Sequence, residues 1–118
     1  MFNVVIFKEL IKERIKVSIE TQDESYYGIN IIWNKLTDLI CENIDDSIEY
    51  ILNDCTEDEF LWISEILYQI IEKTLSQKFI DTLRIATKKY PIEDNEYKIT
   101  DQIDDTQWRL DYLLNPED

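Results

Sequence analysis

The sequence predicts an all-α protein, a single domain over residues 1–118 whose five or six helices form an antiparallel bundle or stacked helical hairpins. The first observation is the scarcity of helix breakers, since the 118 residues include one glycine and two prolines. The second is the spacing of apolar residues, which recur every three or four positions almost throughout. The third is the apolar content: 44% hydrophobic residues, with three Trp, seven Tyr and four Phe, favour a packed core over a disordered acidic tail.

Two helices are predicted in the first third of the chain. The first has the apolar stripe Val4, Phe7, Ile11 and Ile15, although residues 4–7 also fit a strand. The polar residues 21–25 and then Gly28 predict a break. The second helix has a stripe that includes Trp33 as a core residue: Ile29, Ile32, Trp33, Leu36 and Ile40.

Two further helices are predicted in the middle of the chain. Asp45 is placed to cap a short third helix with the inner face Ile48, Ile51, Leu52 and Cys55. Thr56 and Glu59 have the spacing of a capping box, in which each side chain accepts from the other residue's backbone N–H. From there the fourth helix is expected to run to about Leu75, with the inner face Phe60, Ile63, Leu67, Ile70 and Ile71.

The last two helices are separated by a predicted loop. Ser76 is placed to cap a helix that stops before Pro91 and buries Phe79, Ile80, Leu83, Ala86 and Tyr90. Residues 91–99 are predicted to be a loop. Thr100 is then placed to cap a final helix that buries Ile103, Leu110 and Leu114. Expected to be buried across the whole fold are Trp33, Ile51, Ile63, Leu67, Leu83 and Leu110.

Negative charge is concentrated in two segments. The net charge is -14, from 26 acidic and 12 basic residues. Residues 21–60 contain eleven acids and one base, and residues 91–118 contain nine acids and two bases. A charge run is most often a solvated surface, but solubility alone does not require such segregation. The segregation indicates a positively charged partner.

Three predicted helices carry a large aromatic residue opposite the apolar stripe, among carboxylates. Such a ring either covers a second cluster inside the fold or anchors a protein interface, and three occurrences favour an interface for at least one. If Trp62 belongs to the core, the site is expected at Trp108, Tyr112 and the C-terminal acids. The candidate partner-binding residues are Asp46, Glu49, Tyr50, Asp54, Asp58, Trp62, Glu65, Trp108, Asp111 and Tyr112.

Several classes of chemistry lack their residues. Histidine is absent, so the chain has no imidazole for nucleophilic catalysis or metal binding. Cys41 and Cys55 have no partners for a zinc site and are expected to be free thiols. A glycine-rich phosphate loop, the ligand spacing of a calcium loop and a strongly basic face are also missing. The sequence therefore predicts no enzyme, no cofactor, no metal site and no binding of nucleic acid.

The sequence also predicts where the protein resides. No run of eighteen apolar residues is present, so no membrane span is expected. The first ten residues lack the basic leader and the cleavage site of a signal peptide. A cytoplasmic protein is expected, either a monomer or a weak dimer.

A series of segments between residues 44 and 91 resembles a known family. The segments are Ile44-Asp45-Asp46-Ser47-Ile48-Glu49-Tyr50, Phe60-Leu61-Trp62-Ile63-Ser64-Glu65, Ile71-Glu72-Lys73-Thr74, Phe79-Ile80 and Lys89-Tyr90-Pro91. Their packing and capping patterns resemble the small helical immunity proteins of bacterial contact-dependent and polymorphic toxin systems. The resemblance implies a cytoplasmic antidote that binds and blocks one cognate toxin, often a nuclease with a basic substrate site. It implies no particular binding residue.

The expected function is thus that of an immunity protein, a toxin inhibitor that binds through acidic complementarity and aromatic anchors. Two alternatives remain open. A DNA-mimic or anti-restriction protein would carry carboxylates spaced like duplex phosphates along an elongated body. In a helical scaffold or adaptor, the negative charge would be incidental to the function. The genes next to this one would discriminate between an immunity protein and a DNA-mimic protein.

Overall fold

The computed structural model describes residues 2–21 and 26–116, and every regular element within these ranges is helical. The all-α prediction is therefore confirmed. The elements are α1 (Val4–Thr21), α2 (Tyr26–Glu42), α3 (Ile44–Asn53), α4 (Glu57–Ile63), a 3-10 turn (Ser64–Ile66), α5 (Leu67–Thr74), α6 (Gln77–Thr87), α7 (Pro91–Tyr97) and α8 (Ile99–Leu114).

The number and arrangement of helices differ from the prediction. Because the 3-10 turn joins α4 directly to α5, the described residues form seven helical units rather than five or six. Contacts link α2 to α5, α5 to α8, α8 to α6, α6 to α3 and α3 back to α2, which closes a ring of helices. α1 packs on the outside of α2, and α7 packs on α8. This ring differs from both a simple antiparallel bundle and a linear stack of hairpins.

One connected hydrophobic cluster fills the ring and takes side chains from every helix except α7. Ile51, Ile63, Leu67, Leu83 and Leu110 are buried, as predicted. Trp33 is only partly buried, so its assignment to the core was too strong. Its indole Nε1 donates to Oε1 of Glu65 at 2.9 Å, which holds one edge of the ring at a polar site.

Of the four capping residues predicted, Thr56 and Ser76 are confirmed, whereas Asp45 and Thr100 are wrong. Thr56 and Glu59 form the capping box, and the Ser76 hydroxyl accepts from the backbone N–H of Phe79. α3 is capped by Asn43 instead of Asp45, because the Asn43 side chain accepts from the N–H of Asp46. This places Asp45 within the first turn of the helix, where its charge favours the helix dipole.

Residues 91–99 were predicted to be a loop and instead contain α7, which starts at Pro91. Proline is favoured at the first position of a helix, because its missing N–H has no intrahelical partner there. Thr100 does not cap α8. Its N–H and its hydroxyl both donate to the Asp94 carboxylate, at 2.6 and 2.7 Å, which ties α8 to α7.

A break at Gly28 and a strand at residues 4–7, both considered for the first half of the chain, are not formed. Gly28 lies inside α2 and does not break it. Of the break predicted at residues 21–25, residues 22–25 lie outside the described residues, and α1 includes Thr21. The strand considered for residues 4–7 is not formed, since these residues begin α1.

Leu67 provides a test of the core. It is 4% exposed and begins α5 at the centre of the cluster. Leu67→Ala is expected to lower the free energy of unfolding by about 2–5 kcal/mol, since it removes buried methyl groups and leaves a cavity. The matched control is Ile92→Ala on α7, where the side chain is 74% exposed. Urea titrations of both variants check this, and equal midpoints would contradict the placement of Leu67.

Candidate functional site

Tyr50 was predicted to face solvent on α3 but is 7% exposed and belongs to the core. The rings of Phe2 and Phe7 lie over it, with centroids 5.0 and 5.5 Å from its own. Its hydroxyl donates to Oε1 of Glu59 at 2.7 Å. The physical reason for the error is that α3 is covered on a second side by the N-terminal segment, which a single helical stripe does not reveal.

Glu59 is a buried carboxylate at the junction of α1, α3 and α4. Lys8 Nζ donates to its Oε2 at 2.6 Å, and the N–H of Thr56 donates to its Oε1 at 3.1 Å. Burial alone would raise the pKa of this carboxyl, but the bonds from Lys8, Tyr50 and Thr56 outweigh burial and lower it. The sequence indicated the backbone role of Glu59 in the capping box and gave no signal for its partners on α1 and α3.

Glu59 should make the free energy of unfolding depend on pH in the acidic range. Because its pKa is lowered from the ordinary value of 4.5, it stabilises the fold above that pH and loses this effect as the pH falls through the folded value. In urea titrations from about pH 6 to about pH 3, wild type should lose stability more steeply than Glu59→Gln. Tyr50→Phe, which removes one donor, should give an intermediate slope. Identical slopes in all three proteins would contradict this assignment.

Trp62 and Glu65 were predicted on an open acidic face, and α1 covers them instead. The guanidinium carbon of Arg14 lies 4.8 Å from the centroid of the Trp62 ring, which is partly buried against the core. The same guanidinium donates to both carboxylate oxygens of Glu65 at 2.9 Å. Glu65 is therefore a partly buried carboxylate paired with Arg14, and the exposed position predicted for Trp62 is wrong. A basic side chain from a distant helix was not visible in the local pattern.

The other predicted acids of this region stay at the surface. Asp46, Glu49 and Asp54 border a shallow cleft of about 430 Å³, next to Phe2 and Asn53. The side chains of Asn43 and Asn53 donate to Asp46 and Glu49. Asp58 is exposed in the first turn of α4. These carboxylates do not surround an exposed aromatic ring as predicted, since Tyr50 is buried.

The remaining predicted residues come together on α8. Trp108 and Tyr112 are 68% and 45% exposed, and their rings stack with centroids 6.0 Å apart and planes at 15°. Together with Asn115, these rings and Asp111 line a small cleft of about 220 Å³. We call the face formed by Asp105, Trp108, Asp111 and Tyr112 the α8 surface.

Charges around the α8 surface are only partly compensated. Arg84 pairs with Asp104 at 2.8 Å, and Gln107 donates to Asp111 at 3.0 Å. Arg109 lies over the Tyr112 ring, 5.9 Å from its centroid. Asp101 and Asp105 are exposed and pair with no base in the described part of the chain. The face therefore presents two apolar rings with a carboxylate rim.

Metal-binding clusters and reactive thiols are both missing from the described residues. Within residues 2–21 and 26–116, no group of three or more Cys, Asp or Glu is placed to hold a metal ion. Cys41 and Cys55 are free thiols, and burial raises the pKa of both, that of Cys55 to about 12. Such thiols are protonated at neutral pH and are poor nucleophiles. Among the described helices, none has the length and apolar character needed to span a bilayer.

Comparison with known proteins gives no relative: no family model, no curated protein and no solved structure matches this chain.

Proposed function

We propose that this protein is an immunity-type inhibitor that binds a cognate toxin with a basic surface and blocks it without catalysing a reaction. The observation that carries the proposal is the α8 surface, where Trp108 and Tyr112 stack in the open among carboxylates. Exposed tryptophan and tyrosine are the residues that most often dominate binding energy at protein interfaces. The Trp108 indole is 68% exposed, and exposing apolar surface to water is unfavourable. A partner that covers the ring would therefore gain free energy of binding.

Charge supports a basic partner. The net charge of -14 creates a field that attracts a cationic surface over several ångströms and repels acidic competitors. Electrostatic complementarity of this kind raises the association rate and sets specificity. A nuclease, whose substrate site must hold phosphates, has the basic surface that this field favours. Binding there would occlude the toxin's active site.

The two alternative functions are less well supported. The described residues extend over 43 × 31 × 30 Å, which is not the elongated body that a duplex mimic needs to space its carboxylates. A passive scaffold with incidental acidity gives no reason for two stacked rings at the surface. The α8 surface therefore favours an inhibitor that recognises one protein.

Co-expression tests this proposal. The C-terminal domain of the protein encoded immediately upstream is expressed alone and together with this chain. We expect the domain alone to stop growth and this chain to restore it, with a stable complex on gel filtration. A toxic upstream domain that this chain neither binds nor neutralises would contradict the proposal.

The salt dependence of binding tests the role of the charge. The Debye length falls from about 10 Å at 0.1 M salt to about 3 Å at 1 M, so long-range attraction is lost over this range. The association rate with the toxin domain should therefore fall steeply while the dissociation rate changes much less. Stopped-flow mixing at both salt concentrations measures the association rate. An association rate independent of salt would contradict a role of the negative charge in binding and would indicate that the charge serves only solubility.

A further inference from the structure

We propose that a groove between α5 and α8 receives an arginine side chain of the protein partner. The inference rests on the proposed function, because it names the group that the partner inserts. The groove has a volume of about 540 Å³, which lies within the range of roughly 300–1,000 Å³ typical of ligand pockets. Its lining includes Tyr68, Gln69 and Glu72 from α5, and Gln102 and Asp105 from α8.

The groove combines an aromatic face with unused acceptors. The Tyr68 side chain is 46% exposed, which leaves its ring open to stacking. Asp105 and Gln69 make no side-chain hydrogen bond to any residue in the described ranges. A guanidinium stacks on aromatic rings and carries five N–H donors in one plane, so it can use the ring and the acceptors together. An ammonium group has three donors around a point charge and fits this set less well.

The chain's own arginines already use this arrangement. Arg109 extends from α8 to Glu72 on α5, where Nη2 lies 3.3 Å from Oε1, so the space between these helices admits a guanidinium beside the groove. Arg14 combines a carboxylate and an aromatic face in the same way, since it bonds Glu65 while lying over Trp62. A partner arginine in the groove would repeat these contacts with Asp105 and Tyr68.

The groove adjoins the α8 surface. Asp105 lines the groove and precedes Trp108 by three residues on the same helix, so the two side chains lie on one side of α8. One segment of a partner can therefore place an arginine in the groove and an apolar residue on the Trp108–Tyr112 stack. This combination explains why the partner should be basic and also partly apolar at its point of contact.

A titration with small capped amino acids tests the groove without any toxin. Full-length protein labelled with ¹⁵N is titrated with N-acetyl-arginine amide, its lysine analogue and its uncharged citrulline analogue, at millimolar concentrations. Capped arginine should cause saturable amide shifts around Tyr68, Gln69 and Asp105, with weaker binding of the other two. Asp105→Asn should weaken arginine binding about threefold, as expected for loss of one exposed ion pair.

The matched control is Asp101→Asn, which removes the same charge one turn earlier on α8 and outside the groove. It should leave the affinity for capped arginine nearly unchanged, while Tyr68→Ala should weaken it. Equal affinity for arginine and lysine, or equal losses in the Asp101 and Asp105 variants, would overturn the assignment. A chain that binds capped arginine in the groove but fails to neutralise the toxin contradicts the proposed function alone. A neutralising chain whose Asp105 variant binds arginine normally contradicts the groove alone.

Discussion

Replacing Trp108 with alanine is expected to weaken the complex with the proposed toxin partner by roughly thirtyfold or more, equivalent to about 2 kcal/mol. The physical reason is that the indole, 68% exposed in the free protein, would be desolvated in the complex and packed against the partner beside Tyr112. The free energy of unfolding should change little, because the ring makes few internal contacts. Calorimetric titration gives the affinity, and thermal unfolding of the free variant checks the fold.

Tyr97→Ala is the matched control for this prediction. Tyr97 is 51% exposed on α7, which is close to the 45% exposure of Tyr112, but it lies outside the α8 surface. Its replacement should leave the affinity unchanged. An equal loss of affinity in the Tyr97 and Trp108 variants, or a loss of stability in Trp108→Ala that accounts for the weaker binding, would contradict the role given to Trp108.

Glu65→Gln is expected to give the largest loss of stability from a change of one charge, about 3 kcal/mol. The Arg14 side chain is 5% exposed, and Glu65 is the carboxylate that both its Nε and its Nη2 contact. The amide keeps the shape of the side chain but removes the negative charge that Nε and Nη2 of this buried guanidinium contact. The free energy of unfolding from urea titration at neutral pH measures the effect.

Asp45→Asn provides the comparison, because it removes a carboxylate from a pair that solvent reaches. Lys78 lies 3.6 Å from Asp45, and their side chains are 68% and 75% exposed. An exposed pair of this kind contributes between about 0 and 1 kcal/mol. Similar small losses in the Glu65 and Asp45 variants would contradict the large contribution to stability that is assigned to the pair of Arg14 and Glu65.

Most helices and most of their inner faces were predictable from the sequence because both depend on local patterns. The exceptions are α7, which was predicted as a loop, and Leu114, which was predicted to be buried and is 54% exposed. The apolar stripes identified Ile51, Ile63 and Leu83 as buried, and the capping box at Thr56 was correct to the residue. The interruption at Ser64 was not predictable in this way, since the apolar pattern runs through it without a change of period.

Side chains that lie opposite a stripe were harder to place, because their environment is set by distant parts of the chain. Tyr50 and Trp62 had the same local pattern as Trp108, with carboxylates beside each. Phe2 and Arg14, about fifty residues away in sequence, cover the first two. In the part of the chain that the structure describes, no helix covers Trp108, which is 68% exposed while α8 contacts α5, α6 and α7.

Hydroxyl-radical footprinting of the free protein and of its complex with the proposed toxin partner tests the central claim most directly. In the free protein Trp108 and Tyr112 should be oxidised readily, since both rings are open to solvent. The complex should protect both rings strongly and leave Tyr97 as reactive as before. Unchanged oxidation of Trp108 and Tyr112 in a complex that still neutralises the toxin would contradict the claim that the α8 surface binds the partner.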